Sequence, residues 1–173
     1  MGFEIHHLLR HYVTVPENPI FFFCDEMLTG LGRWLRIAGF DTEIASPGMP
    51  DVEIISHIKQ SHRILLTCDT QLAEQSAKYN TTILLDNSDI NACVKQLNKA
   101  LQLDWEKLAF SRCSVCNSLI ALASDRQIRQ LNLVHSVNKP VYYCPQCQKL
   151  YWEGSHVKRM RIRLSEFNAL TDR

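Results

Sequence analysis

The chain lacks a hydrophobic run long enough to cross a membrane. Of its 173 residues 46% are hydrophobic, yet no apolar stretch approaches the roughly 18–20 residues that a spanning helix needs. The sequence also shows no secretory leader, no internal repeat and no low-complexity tract. We therefore expect a globular protein without a membrane partner, long enough for one medium domain and a small second module.

An excess of charge of either sign is also missing. The chain carries 19 Lys and Arg against 18 Asp and Glu, which gives a formal net charge of +1 at pH 7. This balance excludes a globally basic nucleic-acid binder. Any contact with nucleic acid must therefore come from a local patch of cations.

Four of the seven cysteines form two Cys-x-x-Cys pairs, at Cys113 and Cys116 and at Cys144 and Cys147. Four thiolates are the number that a closed tetrahedral zinc site needs. The 27 residues between the pairs exceed the usual window, so the predicted zinc ribbon carries an extended loop. Two disulfides, or one redox-active pair, are the alternatives. Because a four-cysteine site has no open coordination position, we expect any chemistry upstream of it.

The other three cysteines, Cys24, Cys68 and Cys93, stand beside apolar runs. This environment is typical of buried, reduced thiols. Together with the absence of a secretory leader it favours a reducing compartment, and we expect a cytoplasmic location.

From Ile20 onwards, short apolar strands alternate with helical segments, which predicts an α/β fold with a parallel sheet flanked by helices. The predicted strands are "IFFFC", "DTEIA", "RILLTC" and "TTILL". The predicted division is an N-terminal arm (1–19), an α/β domain (20–105), a linker (106–112), a zinc ribbon with a basic extension (113–164) and a frayed helical tail (165–173). Within the ribbon, "SLIALA" and "VYYC" are the predicted strands.

Acidic residues follow the predicted strands. Asp25, Asp69 and Asp86 each come just after a strand, and Asp51 begins a helix on the same side. The carboxyl edge of a parallel sheet is where sites form, and clustered carboxylates there repel one another unless a cation is present. Mg²⁺ and Mn²⁺ prefer such oxygen ligands and suit phosphodiester hydrolysis. The alternative, strongest for Asp51 and Asp86, is a helix cap or turn.

The run "FFFCDEMLTGLGRWLRIAGFDTEI" resembles the Mut-seven C-terminal RNase family, a group of PIN-like nucleases. The resemblance continues, in the family's order, through Asp51, "RILLTCD", "RCSVCN", "YYCPQCQKLYWEGSH" and "KRM", from about Ile20 to Leu164. It implies a PIN-like domain followed by a zinc ribbon. It also implies a ribonuclease that needs catalytic Mg or Mn beside the structural zinc, with RNA as its partner.

By this resemblance, Asp25, Asp51 and Asp69 bind the catalytic metal, and Thr67 supplies a hydroxyl near the metal or the scissile phosphate. Asp86 has no firm counterpart in the family and is predicted as a fourth acid. Two other acids, Glu26 and Glu74, are alternatives for that role.

Two positions depart from the family's pattern. Cys68 stands where the family usually has Arg, which removes one phosphate contact. Gln148 stands where the second Cys pair is usually followed by Gly, a position that often needs positive φ. The first departure gives weight to an alternative function, a non-catalytic RNA- or ribosome-binding protein with the same fold.

Basic residues are predicted to bind the RNA backbone. Arg33 and Arg36 on the first helix are predicted to hold phosphates, with binding to the sheet edge or to a surface carboxylate as the alternative. Lys158, Arg159 and Arg161, followed by Arg163, are predicted to bind the backbone with strong salt dependence. The alternative for this second group is a solvated face.

Four aromatic residues surround the second cysteine pair, Tyr142, Tyr143, Tyr151 and Trp152. A ribbon has little core of its own, so we predict that these side chains pack onto the main domain. The alternative is that they stack on RNA bases.

Overall fold

The computed structural model describes residues 19–79, 81–86, 89–130 and 140–170. The predicted N-terminal arm lies outside these ranges, except for Pro19. Within the described ranges, no helix is both long enough and apolar enough to cross a membrane.

A parallel sheet of four strands forms the first module. Its strands are β1 (Phe21–Cys24), β2 (Asp41–Ile44), β3 (Ile64–Thr67) and β4 (Thr82–Leu84), in the spatial order β2-β1-β3-β4. β1 lies between β2 and β3, with Phe22 opposite Thr42 on one side and opposite Ile64 on the other. The four predicted strands are therefore confirmed.

Six α-helices lie within the described residues: α1 (Thr29–Ile37), α2 (Asp51–Ser61), α3 (Thr70–Ser76), α4 (Ile90–Leu101), α5 (Asp125–Gln130) and α6 (Ser155–Ala169). A short 3₁₀ turn, Glu26–Leu28, precedes α1. The first four helices follow the strands of the sheet as predicted. α5, in the segment between the two cysteine pairs, was not predicted.

The two faces of the sheet are covered by different helices. Side chains alternate along a strand, so Phe22 points to one face and Phe23 to the other. Phe22 lies in a core with buried residues of α1, α4 and α6, whereas Phe23 lies in a second core with residues of α2 and α3. The continuous apolar runs of β1 and β3 reflect this burial on both faces. The structure thus confirms a parallel sheet flanked by helices.

A small antiparallel sheet belongs to the second module, which we call the ribbon (residues 112–154). Its strands are β5 (Ala121–Leu122), β6 (Val141–Tyr143) and β7 (Leu150–Trp152), in the order β5-β6-β7. β5 and β6 lie in the segments predicted as strands, and β7 was not predicted.

The segment between the modules packs closely against the end of α1. The backbone amide of Phe110 donates a hydrogen bond of 2.7 Å to the carbonyl of Ile37. Gly39 has φ +96°, and a Cβ atom there would lie 2.2 Å from the carbonyl oxygen of Leu108. Only glycine combines this backbone conformation with so close an approach.

The C-terminal helix is packed against the core, whereas residues 165–173 were predicted to form a frayed helical tail. α6 extends to Ala169, and Phe167 is fully buried, with its ring 5.2 Å from that of Trp34 and 5.0 Å from that of Trp105. The side-chain amide of Asn98 donates to the Phe167 carbonyl at 2.7 Å. The prediction was wrong for residues 165–169 because the partners that bury this helix lie more than 60 residues earlier in the chain.

Replacing Phe167 with Ala is expected to destabilise the protein by about 3–5 kcal/mol, because it removes an aromatic ring from a closed core. The measurement is the free energy of unfolding in urea. Ile162→Ala on the same helix is the matched control, since Ile162 is 62% exposed, and its effect should stay within about 0.5 kcal/mol. Equal effects of the two variants would show that α6 is not part of the core.

Candidate functional site

The order of the strands creates a crevice at the carboxyl edge of the parallel sheet. From β1 the chain crosses through α1, on one face, to β2, whereas from β3 it crosses through α3, on the other face, to β4. Neighbouring strands whose connections leave in opposite directions open a crevice between them, and ligands bind there in open α/β sheets. Asp25 follows β1 and Thr67 ends β3, so both residues lie at this crevice.

A chain of hydrogen bonds joins three of the predicted site residues. The Thr67 hydroxyl donates to Oδ2 of Asp25 at 2.7 Å and accepts the backbone amide of Asp69 at 3.0 Å. Oδ1 of Asp69 accepts the amide of Leu72 at 2.9 Å and so caps α3. Asp25 is only 9% exposed. One oxygen of each aspartate is thus occupied, and within the described residues no donor binds Oδ1 of Asp25 or Oδ2 of Asp69.

Asp51 lies exposed at the beginning of α2. The N-cap of α2 is Pro50, so Asp51 does not cap the helix. The loop that leads to it is held by Glu26, whose Oε2 accepts the backbone amide of Gly48 at 2.7 Å. Glu26, one alternative for the fourth acid, therefore connects the turn after Asp25 to the loop before Asp51.

The Asp86 side chain is exposed beyond the end of β4. Its backbone amide donates to Oε1 of Gln96, and its carbonyl accepts the thiol of Cys93. The cap of α4 is supplied by Asp89 instead, whose Oδ1 accepts two backbone amides. Asp86 therefore does not cap α4, and its other alternative, a role in the turn after β4, stays a prediction. The other alternative acid, Glu74, is exposed on α3.

The four clustered cysteines, Cys113, Cys116, Cys144 and Cys147, can hold a metal ion such as zinc. Their sulfur atoms all lie within 4.8 Å of one another, with 3.9 Å from Cys113 to Cys147 and 3.4 Å from Cys116 to Cys144. Tetrahedral zinc–sulfur bonds of about 2.3 Å imply sulfur separations of about 3.8 Å. All seven cysteines are free thiols, so the alternative of two disulfides is not what the structure contains.

The acids have donor atoms of a different chemistry. Among the residues that the structure describes, the four cysteines are the one group of at least three His, Cys, Asp or Glu side chains whose ligand atoms lie within 4.8 Å of one another. Asp25, Asp51, Asp69 and Asp86 come after β1, β2, β3 and β4 in turn, and no three of them bring their oxygen atoms this close together. Their oxygen atoms fit hard cations such as Mg²⁺ and Mn²⁺ rather than zinc thiolate chemistry.

Crowding affects the ionisation of the cysteine thiols. Burial opposes ionisation of Cys116, but hydrogen bonds with Ser118 outweigh it and lower the pKa of Cys116 to about 6. Hydrogen bonding with Cys116, together with burial, raises the pKa of Cys147 to about 12. Once one cysteine is ionised, its negative charge disfavours ionisation of the next. A bound cation offsets this repulsion.

The two turns that carry the cysteines share a backbone feature, a residue with positive φ directly after the second cysteine. Asn117 and Gln148 each follow the second cysteine of a pair, with φ of 70° and 56°. Gln148 therefore does adopt the left-handed conformation for which Gly is common, and the four sulfur atoms still converge.

The first cysteine turn is attached to the parallel sheet through Arg36. This side chain is buried, and its Nε donates to the Thr42 carbonyl at 2.8 Å while Nη1 donates to the Val115 carbonyl at 2.6 Å. Burial lowers the pKa of the guanidinium, whose donors face main-chain carbonyls. The arrangement favours the structural alternative for Arg36 over the predicted phosphate contact.

Asp41 completes this junction, which sequence reasoning missed. Its Oδ1 accepts the side-chain amide of Asn117 and pairs with Arg63, both at 2.8 Å, and its Oδ2 lies 3.1 Å from Arg112. Burial opposes the charge, but the hydrogen bonds from Asn117 and Arg63 and the charge of Arg112 outweigh it and lower the pKa of Asp41. Asp41 and Asn117 are 76 residues apart, and nothing in either local sequence predicts their contact.

The remaining basic residues fall into two groups. Arg33, Lys158 and Arg159 are exposed. Arg161 lies over the ring of Phe110 at 5.0 Å. Arg163 binds Glu166 on its own helix and Oδ1 of Asn91 at the start of α4, so it anchors α6 beside the acidic edge.

The aromatic residues of the ribbon differ from the prediction. Tyr142 and Trp152 are 42% and 41% exposed, so the prediction that they pack onto the main domain is wrong for these two. The ribbon contacts that domain through its first cysteine turn, which leaves these rings open to solvent. Tyr143 and Tyr151 are half-buried, and the hydroxyl of Tyr151 lies 3.0 Å from the sulfur of Cys113.

Comparison with models of known protein families gives a match that covers most of the chain. Residues 21–164 match the family model described as the Mut7-C RNAse domain. No curated protein and no solved structure gives a significant match.

Proposed function

The chain belongs to the Mut7-C RNAse domain family, and from this membership we propose that it is a ribonuclease that depends on a divalent metal ion. It would hydrolyse RNA phosphodiester bonds at the carboxyl edge of the parallel sheet. The observation that carries the proposal is the hydrogen-bonded chain of Asp25, Thr67 and Asp69 at the crevice. The seven free thiols are compatible with the reducing, cytoplasmic location that we also propose.

Asp25, Asp51 and Asp69 would hold the catalytic Mg²⁺ or Mn²⁺, with Asp86 as a fourth acid. When bound, such an ion polarises the phosphate and provides a nucleophilic water at neutral pH, so that no covalent intermediate is needed. The four cysteines would hold a structural zinc ion, which takes no part in the reaction.

Thr67 is the residue that organises this site. By donating to Oδ2 of Asp25, its hydroxyl leaves Oδ1 of the same carboxylate available to a ligand. By accepting the backbone amide of Asp69, the same hydroxyl fixes the backbone that carries the second carboxylate. Carboxylates held in place before substrate binds need no reorganisation during the reaction.

The basic residues would position the RNA. Arg33 is exposed on α1, the helix that follows Asp25, and is suited to a phosphate. Lys158, Arg159 and Arg161 on α6 would bind the backbone. Arg163 supports this arrangement because it ties α6 to the first turn of α4, next to Asp86 and Asp89.

Cleavage of a labelled panel of RNAs tests the proposal. We expect the protein, dialysed free of loosely bound cations but with its zinc content verified, to cut RNA only after Mg²⁺ or Mn²⁺ is added. The readout is product formation on a denaturing gel, with a sample without added metal as the control. RNA that is bound but never cut, across the whole panel, would favour the non-catalytic RNA- or ribosome-binding protein instead.

A further inference from the structure

One face of the ribbon sheet carries an ordered row of apolar side chains. On the central strand β6, Tyr142 pairs with Leu122 of β5 on one side and with Tyr151 of β7 on the other. Directly paired residues point to the same side of a sheet, so these three side chains form what we call the ribbon face. Tyr142 and Leu122 are 42% and 51% exposed.

The ring of Tyr151 is fixed at one end of this row. It is half-buried, and its hydroxyl lies 3.0 Å from the sulfur of Cys113 in the four-cysteine centre. Tyr142 beside it has no such contact among the described residues and presents its ring to solvent. The ribbon face therefore offers one accessible aromatic ring, that of Tyr142, between Leu122 and Tyr151.

The excess positive charge of the chain lies in the part of the sequence that forms the ribbon and most of α6. Residues 113–164 contain eight Lys and Arg but only two Asp and Glu, whereas residues 1–112 contain ten and fourteen. Four thiolates and a zinc ion would add about −2 and leave this part strongly positive. A nearly neutral chain thus has its excess of cations over acids in the ribbon and α6, which favours a polyanionic partner.

A cation also lies on the same face as the exposed ring. Lys149 precedes β7, and its carbonyl accepts the amide of Cys144, which continues the ladder between β6 and β7. By the alternation of side chains along a strand, Lys149 shares the side of Tyr151 and therefore the ribbon face. The Lys149 side chain is exposed.

We propose that the ribbon face binds single-stranded RNA, with the ring of Tyr142 stacking on an unpaired base and Lys149 contacting a neighbouring phosphate. This inference rests on the proposed function for the identity of the polyanion. Unpaired bases can be splayed onto an aromatic side chain, whereas the bases of a duplex are already stacked on each other. Lys149 on the same face, and the excess of cations in this part of the chain, distinguish the surface from an apolar patch that would suit a protein partner.

The attachment of the first cysteine turn, which leaves the ribbon face exposed, also fixes the ribbon relative to the parallel sheet. Arg36 and Asp41 bind the first cysteine turn to the parallel sheet. Asp41 begins β2, so this attachment lies at the end of the sheet opposite the crevice. A strand stacked on Tyr142 would therefore have to extend along the sheet to reach the acids. The ribbon would select unpaired RNA, and the crevice would cut it.

Binding to paired and unpaired RNA tests the inference. The full chain carrying Asp25→Asn is used to prevent cleavage, and fluorescence anisotropy reports the dissociation constant for a fluorescein-labelled single strand of about 20 nucleotides and for its duplex. We expect Tyr142→Ala to weaken single-strand binding about tenfold, the usual contribution of one base stack, and to change duplex binding less than twofold. Tyr142→Phe should restore the affinity because it keeps the ring.

Tyr79→Ala is the matched control. Tyr79 is 45% exposed but lies just after α3 in the α/β domain, so its loss should leave both affinities unchanged. Lys149→Glu provides a second variant that keeps the Tyr142 ring. It should weaken single-strand binding and reduce its dependence on salt, even if Tyr142→Ala proves to lose zinc.

Three outcomes would overturn the inference. The first is an unchanged single-strand affinity in both Tyr142→Ala and Lys149→Glu, and the second is an equal loss of affinity for single strand and duplex. The third is a changed molecular mass of these variants in solution while their RNA binding is intact. The last result would make the ribbon face a protein interface. The test is independent of hydrolysis. Tyr142-dependent binding without metal-dependent cleavage by the unmodified chain would remove only the proposed function, and cleavage without Tyr142-dependent binding would remove only this inference.

Discussion

Replacing Asp25 with Asn is expected to reduce metal-dependent RNA cleavage by at least about 100-fold while the fold remains intact. The amide keeps an oxygen that accepts the Thr67 hydroxyl, so the hydrogen bond between the ends of β1 and β3 is preserved. It loses the negative charge and the second oxygen that a divalent cation would bind. Loss of activity should therefore occur without loss of stability, because removing one charge from an acidic cluster also relieves repulsion.

Initial cleavage rates at fixed Mn²⁺ concentration measure the effect of the Asp25 variant. Asp125→Asn is the matched control, since Asp125 is an exposed acid on α5 in the ribbon and the change removes the same unit of charge. Its rate should stay within about twofold of the unmodified chain, and both variants should unfold in urea at the same midpoint. A wild-type rate for Asp25→Asn would place the chemistry elsewhere in the protein.

Replacing Cys113 with Ser is expected to abolish stoichiometric zinc binding and to unfold the ribbon. The strands of this module are two or three residues long, and few of its residues beyond the cysteines are buried. A module with so little core depends on its metal, and the free energy of metal binding is then free energy of folding. The remaining three thiols cannot close a tetrahedral site.

Zinc content per chain and amide hydrogen exchange measure the effect of the Cys113 variant. Protection should fall in residues 112–124 and 141–154 but persist in β1 and β3, which lie in the core of the other module. Cys68→Ser is the control, because Cys68 lies outside the four-cysteine group and its loss should leave zinc content unchanged. Undiminished zinc in Cys113→Ser would show that this sulfur is not a ligand.

The first module could be predicted from sequence because its signals are local. Apolar runs mark β1 to β4, and the residues that follow them locate the carboxyl edge of the sheet. The end of the chain could not be predicted in this way. Leu164 and Phe167 stand between polar residues on a charged helix, and the core that they share with Trp34 and Trp105 is formed by residues distant in the sequence.

The same distinction applies to the site. Asp25 and Asp69 could be predicted to lie close together because strand ends in a parallel sheet share an edge, whereas Thr67 was predicted only from the resemblance to the family. The role of Arg36 could not, since its partners are main-chain carbonyls, which no residue type identifies. The exposure of Tyr142 was also missed, because it depends on which side of the ribbon contacts the main domain.

The junction around Thr42 has a consequence for self-association. β2 is an outer strand of the parallel sheet, and such a strand offers unpaired amides and carbonyls to other chains. Here the Thr42 amide donates to Oδ1 of Asn117 and the Thr42 carbonyl accepts Nε of Arg36, so both groups are occupied. The ribbon thus shields an open β-edge, and a chain that has lost its metal would expose a template for aggregation.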